Sequence, residues 1–161
     1  MEPATHEPST AEHAMRYQLE LEIDQPRERV IELFLDSDNL SKWQPSLVSF
    51  DHISGEPREV GAKSRQVHRM GKRETEMIET ITAHDPPEHF SATYEADGIW
   101  NLIENRFQDI SEHKTHWTLD CEFRCSGFVI RLMTIFAPWM FKRQTSTFMH
   151  RFKEFAEQST A

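Results

Sequence analysis

The sequence predicts an α+β fold in which one antiparallel sheet is held against a long C-terminal helix. Three observations predict it. One strand-like run comes first, a short helical stretch follows, and six strand-like runs precede a closing apolar helix. The strands alternate apolar and polar residues, the period of a half-buried sheet. Two hairpin turns, read independently, agree on one inward face. Between Met77 and Phe123 that face carries a row of polar side chains where a core is expected. A sheet gripped by a helix around a partly polar interior is a container.

The elements follow in order. Met1 to Ala14 is rich in Glu, Pro, Ser, Thr and His with no apolar period, and reads as a disordered tail (1–14) before a single domain (15–161). Tyr17, Leu19, Leu21 and Ile23 alternate with Gln18, Glu20, Glu22 and Asp24 as a first strand. Asp24 and Pro26 open a helix, since proline suits a first helical turn, and Val30, Ile31, Phe34 and Leu35 give it an apolar face. Asp36 or Ser37 can cap a second, shorter helix through Leu40 and Trp43 that Pro45 stops.

Leu47 to Ser54 is the second strand. Ala62–Met70 and Arg73–Ala83 form a hairpin about Gly71-Lys72, with Met70 opposite Arg73 and Arg69 opposite Glu74. Opposite charges across strands mark that face as solvated. The other face carries Ala62, Ser64, Gln66 and His68 with Thr75, Met77, Glu79 and Ile81. Asp85-Pro86-Pro87-Glu88 is a turn. Asp97-Gly98 is a two-residue hairpin signal that pairs Tyr94 with Asn101 and Ala92 with Ile103. A three-residue turn at Ser111-Glu112-His113 pairs Phe107 with Trp117, Asn105 with Leu119, Ile103 with Cys121 and Asn101 with Phe123. In the last strand Trp117, Leu119, Cys121, Phe123 and Cys125 point inward. From Phe128 to Phe155 the period is helical, and Pro138 breaks or kinks that helix near Ala137.

Composition excludes several functions. Lys plus Arg is 18 and Asp plus Glu is 27, a formal charge of −9. Nucleic acid is not an expected partner, because its affinity rests on many cationic contacts to phosphate. The same balance argues against adhesion to anionic membrane by charge. No positive n-region followed by an apolar h-region opens the chain, and a cytoplasmic protein is expected. Cys121 and Cys125 share a strand face roughly 13 Å apart, so both are expected as buried free thiols. No CxxC, HExxH, G-x-S-x-G or phosphate loop is present, and no metal, cofactor or catalytic residue is assigned.

The register places Glu79, Tyr94 and Asn101 side by side on three neighbouring strands, with Gln66, His68 and Asn105 within two rows. Together with Met77, Ile103, Phe107, Trp117 and Phe123 they are the candidate lining of a ligand cavity. Few polar groups in an apolar wall is the usual make-up of a small-molecule site. A buried network that fixes strand register reads the same residues equally well. Buried Glu79 would have a raised pKa and could act as an acid or base. Phe128–Phe141 holds eleven apolar residues in fourteen, more than one helix face needs. It reads as core and cavity lining, or as a lid or contact surface for membrane, partner or second subunit.

The chain resembles the START-like, helix-grip superfamily, in its polyketide cyclase/dehydrase and lipid-transport branch. The resemblance rests on "IDQPRERVIELFLD", "NLSKWQPSL", "VGAKSRQV", "ETITAHDPPEHFSATY" and the closing "LMTIFAPWMFKRQTSTFMHRFKEFAEQ", over about residues 15–158. It implies a curved seven-stranded sheet of order 1-7-6-5-4-3-2, two short helices at one end, a long helix across the sheet and an internal cavity. It implies no shared catalytic motif. The leading expectation is binding or carriage of an apolar small molecule such as a lipid, isoprenoid or aromatic compound. The alternatives are a cyclase or dehydratase acting on a polyketide-like substrate, and a protein-interaction module using the apolar helix.

Overall fold

Residues 14–159 are described by a computed structural model. The tail, with His6 and His13, falls outside them, except that Ala14 already belongs to the first strand. The strands are β1 (Ala14–Ile23), β2 (Leu47–Ser54), β3 (Lys63–Met70), β4 (Arg73–Asp85), β5 (His89–Ala96), β6 (Ile99–Ser111) and β7 (Lys114–Cys125). They form one antiparallel sheet of order β1-β7-β6-β5-β4-β3-β2. The helices are α1 (Arg27–Leu35), α2 (Leu40–Trp43), α3 (Phe128–Phe136) and α4 (Pro138–Gln158).

Local chemistry sets most boundaries. Pro26 precedes α1, and its carbonyl accepts from Val30 N at 3.0 Å. Asp36 caps a 3₁₀ turn, Ser37–Asn39, by accepting from Asp38 N, and α2 follows directly. Gly71 and Gly98 sit at φ +64° and +72°, a region glycine enters without steric cost, so both hairpins close where expected. Met70 pairs Arg73, Tyr94 pairs Asn101 and Phe107 pairs Trp117. The β6–β7 turn differs in detail. Ser111 pairs Lys114 around two residues, and an irregularity between Asp109 and Ser111 absorbs the remaining one. That bulge at Ile110 restores the register further along. The C-terminal helical run is broken at Ala137 before Pro138, as expected, into α3 and α4, because proline has no N–H to continue the ladder.

The core lies under one half of the sheet. Phe34 of α1 packs edge-on against Phe90, Phe107, Trp117 and Phe152 and stacks on Trp43. Trp117 and Phe152 are fully buried, and Ile23, Val30, Leu119 and Met149 fill the spaces between them. Ala62, Ile81, Phe90 and Ala92 form a second cluster joined to the first through Phe34 and Leu35. Cys121 and Cys125 are buried free thiols. On the outer face Arg69 pairs with Glu74 and Arg106 with Asp120; exposed pairs of this kind contribute little.

α3 departs from the core reading of its composition. None of its residues is buried. Phe128 and Phe136 are each 77% exposed, and Trp139 just beyond is 61% exposed. Its packing partner is α4.

Candidate functional site on the inner face of the sheet

Strand pairing lines up the inner side chains in rows. One row runs Ser64, Glu79, Tyr94, Asn101, Phe123 and Met15 across six strands. The next, toward the core, runs Ala62, Ile81, Ala92, Ile103, Cys121 and Tyr17, with a bulge in β4 after Ile81.

The ten candidate residues fall into two groups. Phe107, Trp117 and Asn105 lie in the closed core, at 1%, 0% and 3% exposure. Asn105 serves that core: its Oδ1 accepts from Trp117 Nε1 at 3.0 Å, and its Nδ2 donates to the Phe90 carbonyl at 3.4 Å. Met77, Tyr94, Asn101, Ile103 and Phe123 are only half-buried. They form an inner floor that α1, α2 and α4 do not seal. Gln66 and Glu79 sit at its β3–β4 edge and are buried.

A hydrogen-bonded chain joins that edge to the floor. Gln66 Nε2 donates to Glu79 Oε2 at 2.9 Å, so Gln66 Oε1 is left to accept from His68 Nε2 at 3.1 Å. Nδ1 of His68 then accepts from the Ser46 hydroxyl at 3.0 Å. This tautomer follows from the amide's fixed donor and acceptor ends. Burial lowers the His68 pKa, which keeps the ring neutral as the chain requires. At its other end Tyr94 is the strand neighbour of Glu79, and the two side chains influence each other's titration. Desolvation raises the Glu79 pKa, with the Tyr94 and Gln66 hydrogen bonds acting in the opposite direction. Burial, then the neighbouring Glu79 charge, pushes the Tyr94 hydroxyl well above its ordinary value. Among the described residues Glu79 has no salt-bridge partner, although the surface carries many ion pairs.

Asn101 is bonded more loosely. Its Oδ1 accepts from the Cys121 thiol, a weak donor, at 3.2 Å, and its amide nitrogen makes no hydrogen bond among the described residues. Burial raises the Cys121 thiol to about 11, so it is not a thiolate nucleophile. Tyr17 closes the far side of the floor. Its hydroxyl shares a hydrogen bond with Thr145 Oγ1 at 2.8 Å and donates to the Phe141 carbonyl at 3.3 Å.

Tyr17, Thr145 and Ser46 were not among the sequence candidates. The inner face of β1 was legible, but no short turn sets its register against β7. Among the described residues no group of three or more His, Cys, Asp or Glu side chains could hold a metal. Two shallow surface depressions are lined by Arg16, Gln18, Asp120 and Glu122 on the outer face, and by Glu95, Trp100 and Arg124 near the β5–β6 turn. The internal cavity expected from the sequence is not one of them. The inner row is a half-covered floor.

Comparison with solved structures places this geometry among similar folds. The chain is similar to a conserved protein from Geobacillus kaustophilus, at TM-score 0.76 and 18% identity over 90% of this chain and 97% of that one. It is similar to the Zhui aromatase/cyclase from Streptomyces sp. R1128, at TM-score 0.75 and 12% identity over 91% and 95%. It is also similar to norcoclaurine synthase from Thalictrum flavum in complex with dopamine and hydroxybenzaldehyde, at TM-score 0.70 and 11% identity over 100% of both chains. These identities show the shared fold alone, and that fold is the START-like, helix-grip architecture. No curated protein matches the sequence. Residues 15–157 match the family described as polyketide cyclase / dehydrase and lipid transport. The chain belongs to that family.

Proposed function

We propose that the protein binds an apolar small molecule on the inner floor of the sheet, for carriage rather than conversion. The observation that carries this reading is the contrast within one face. Under α4 the sheet is sealed by Phe107, Trp117 and Phe152, whereas Met77, Tyr94, Asn101, Ile103 and Phe123 stay half-covered beside a satisfied polar edge. Apolar contact with Met77, Ile103 and Phe123 supplies affinity at about 25 cal/mol per Å² buried, before the costs of association. Tyr94 and the Asn101 amide orient the ligand. The family's description includes lipid transport, and lipid, isoprenoid and aromatic molecules all fit this chemistry. Free thiols at Cys121 and Cys125 suit a reducing compartment, and the cytoplasm is the compartment proposed.

One observation favours a second reading, a cyclase or dehydratase. Glu79 is desolvated, has no counter-ion among the described residues, and touches Tyr94 on the floor. A desolvated carboxyl with a raised pKa is better suited to donate a proton to a departing hydroxyl. The carrier reading needs no such step.

Native mass spectrometry of the protein as purified, followed by solvent extraction, tests the proposal. Wild type should carry a copurifying apolar molecule. Asn101→Leu should retain the fold, because it gives up one weak thiol contact, and should shift the copurifying species toward less polar ones. An unchanged profile in Asn101→Leu would remove Asn101 from the binding surface. Wild type that carries and takes up no apolar molecule would overturn the proposal.

A further inference from the structure

The net charge of −9 is not spread evenly along the chain. No Asp or Glu occurs between Glu122 and Glu154, a stretch that contains Arg124, Arg131, Lys142, Arg143, Arg151 and Lys153. Arg124 is paired with Glu122, and Lys153 with Glu157. Arg131, Lys142, Arg143 and Arg151 are exposed and make no salt bridge among the described residues. The same stretch contains α3 and the start of α4, the most exposed apolar surface of the described chain. At 3.6 residues per turn, Phe128, Val129, Leu132, Met133, Ile135 and Phe136 span roughly 160° of the α3 surface, and all six are exposed. Arg131 stands at the edge of that arc. Past the break at Ala137, Trp139 and Met140 are 61% and 43% exposed. Arg143 follows them one helical turn on, about 5–6 Å further along the axis.

We infer that α3 and the first turn of α4 dock into the surface of an anionic lipid bilayer. A wide apolar arc with Phe and Trp, bordered by cations and free of acids, is the make-up of a helix that lies in the interface. The arc is wider than the stripe by which a helix packs on one partner face. Headgroup phosphates would pair with these cations while the apolar residues enter the acyl boundary. The overall charge excludes general adhesion to anionic membrane, but this docking uses only the acid-free segment. This inference is independent of what the floor binds.

The test is flotation of the full chain with phosphatidylcholine vesicles and with vesicles in which about a third of the lipid is phosphatidylglycerol. Wild type should float with the anionic vesicles and much less with the neutral ones, and high salt should release it. Each cation near such a surface contributes about fivefold in partition, so Lys142→Ala with Arg143→Ala should lower anionic partition about 30-fold. Phe128→Ser with Phe136→Ser should abolish flotation while leaving the melting temperature unchanged, since both rings are already in solvent. Absence of flotation, or flotation indifferent to both double variants, overturns the inference. So does light scattering that shows a dimer which the Phe128→Ser, Phe136→Ser variant dissolves, because a second copy would then be the occupant.

Discussion

Trp117→Ala should destabilise the protein by about 3–5 kcal/mol, which lowers the melting temperature by roughly 10 °C or more at this chain length. Trp117 is wholly buried. It meets Phe34 and Phe152 edge-on and stacks on Phe107. Truncation removes those contacts and leaves a cavity that α1, α4 and the sheet cannot all close. It also leaves Asn105 Oδ1 without its donor, and an unsatisfied buried acceptor adds to the loss. Trp139→Ala removes an equally large ring from α4 and should change stability by no more than about 0.5 kcal/mol, because that ring is mostly in solvent. Paired thermal melts check both. Equal losses would contradict the division between a sealed core and an uncovered helix.

Glu79 should respond to two substitutions in opposite ways. Glu79→Leu strands Gln66 Nε2, at about 1–3 kcal/mol for a buried group left unpaired. Glu79→Gln keeps an acceptor for Gln66 and removes a charge that burial disfavours. A carboxyl whose pKa is higher in the folded than in the unfolded state stabilises the fold while it is protonated. That contribution is complete below its ordinary value of 4.5 and is lost as pH rises through the folded value. Each pKa unit of displacement is worth about 1.4 kcal/mol. Glu79→Gln should therefore be more stable than wild type at pH 8, with the advantage shrinking toward pH 4. Melts across that range check the sign. An advantage that grows toward acid would mean that Glu79 is held charged by a cation.

Much of the inner face was legible in the sequence, because short turns set it. Asp97-Gly98 fixes the β5–β6 register and Gly71-Lys72 fixes β3–β4. The side-chain period of two then carries each pairing along the strands to the polar row. The β6–β7 turn is one residue shorter than its sequence suggests, yet Phe107 still pairs with Trp117 because a bulge at Ile110 compensates. What local pattern does not contain is coverage. Trp117, Phe107 and Asn105 alternate inward like Phe123 and Asn101. Only the placement of Phe34 and Phe152, far away in the chain, decides which are sealed. The same limit applies to α3. Its apolar residues state that burial would be favourable, and they do not state what covers them. The place of Tyr17 on the floor is not legible in the sequence, because β1 meets β7 across about a hundred residues with no turn to set the register.

The half-covered floor, and not the apolar surface of α3, is the proposed binding surface for a small molecule. Titration of a fluorescent apolar probe such as anilinonaphthalene sulfonate tests it most directly, using wild type, Asn101→Phe to fill the floor, and Phe128→Ser with Phe136→Ser to strip α3. Saturable binding should weaken at least tenfold in Asn101→Phe and persist in the α3 variant, with all three melting alike. Binding that survives Asn101→Phe and vanishes in the α3 variant would contradict it.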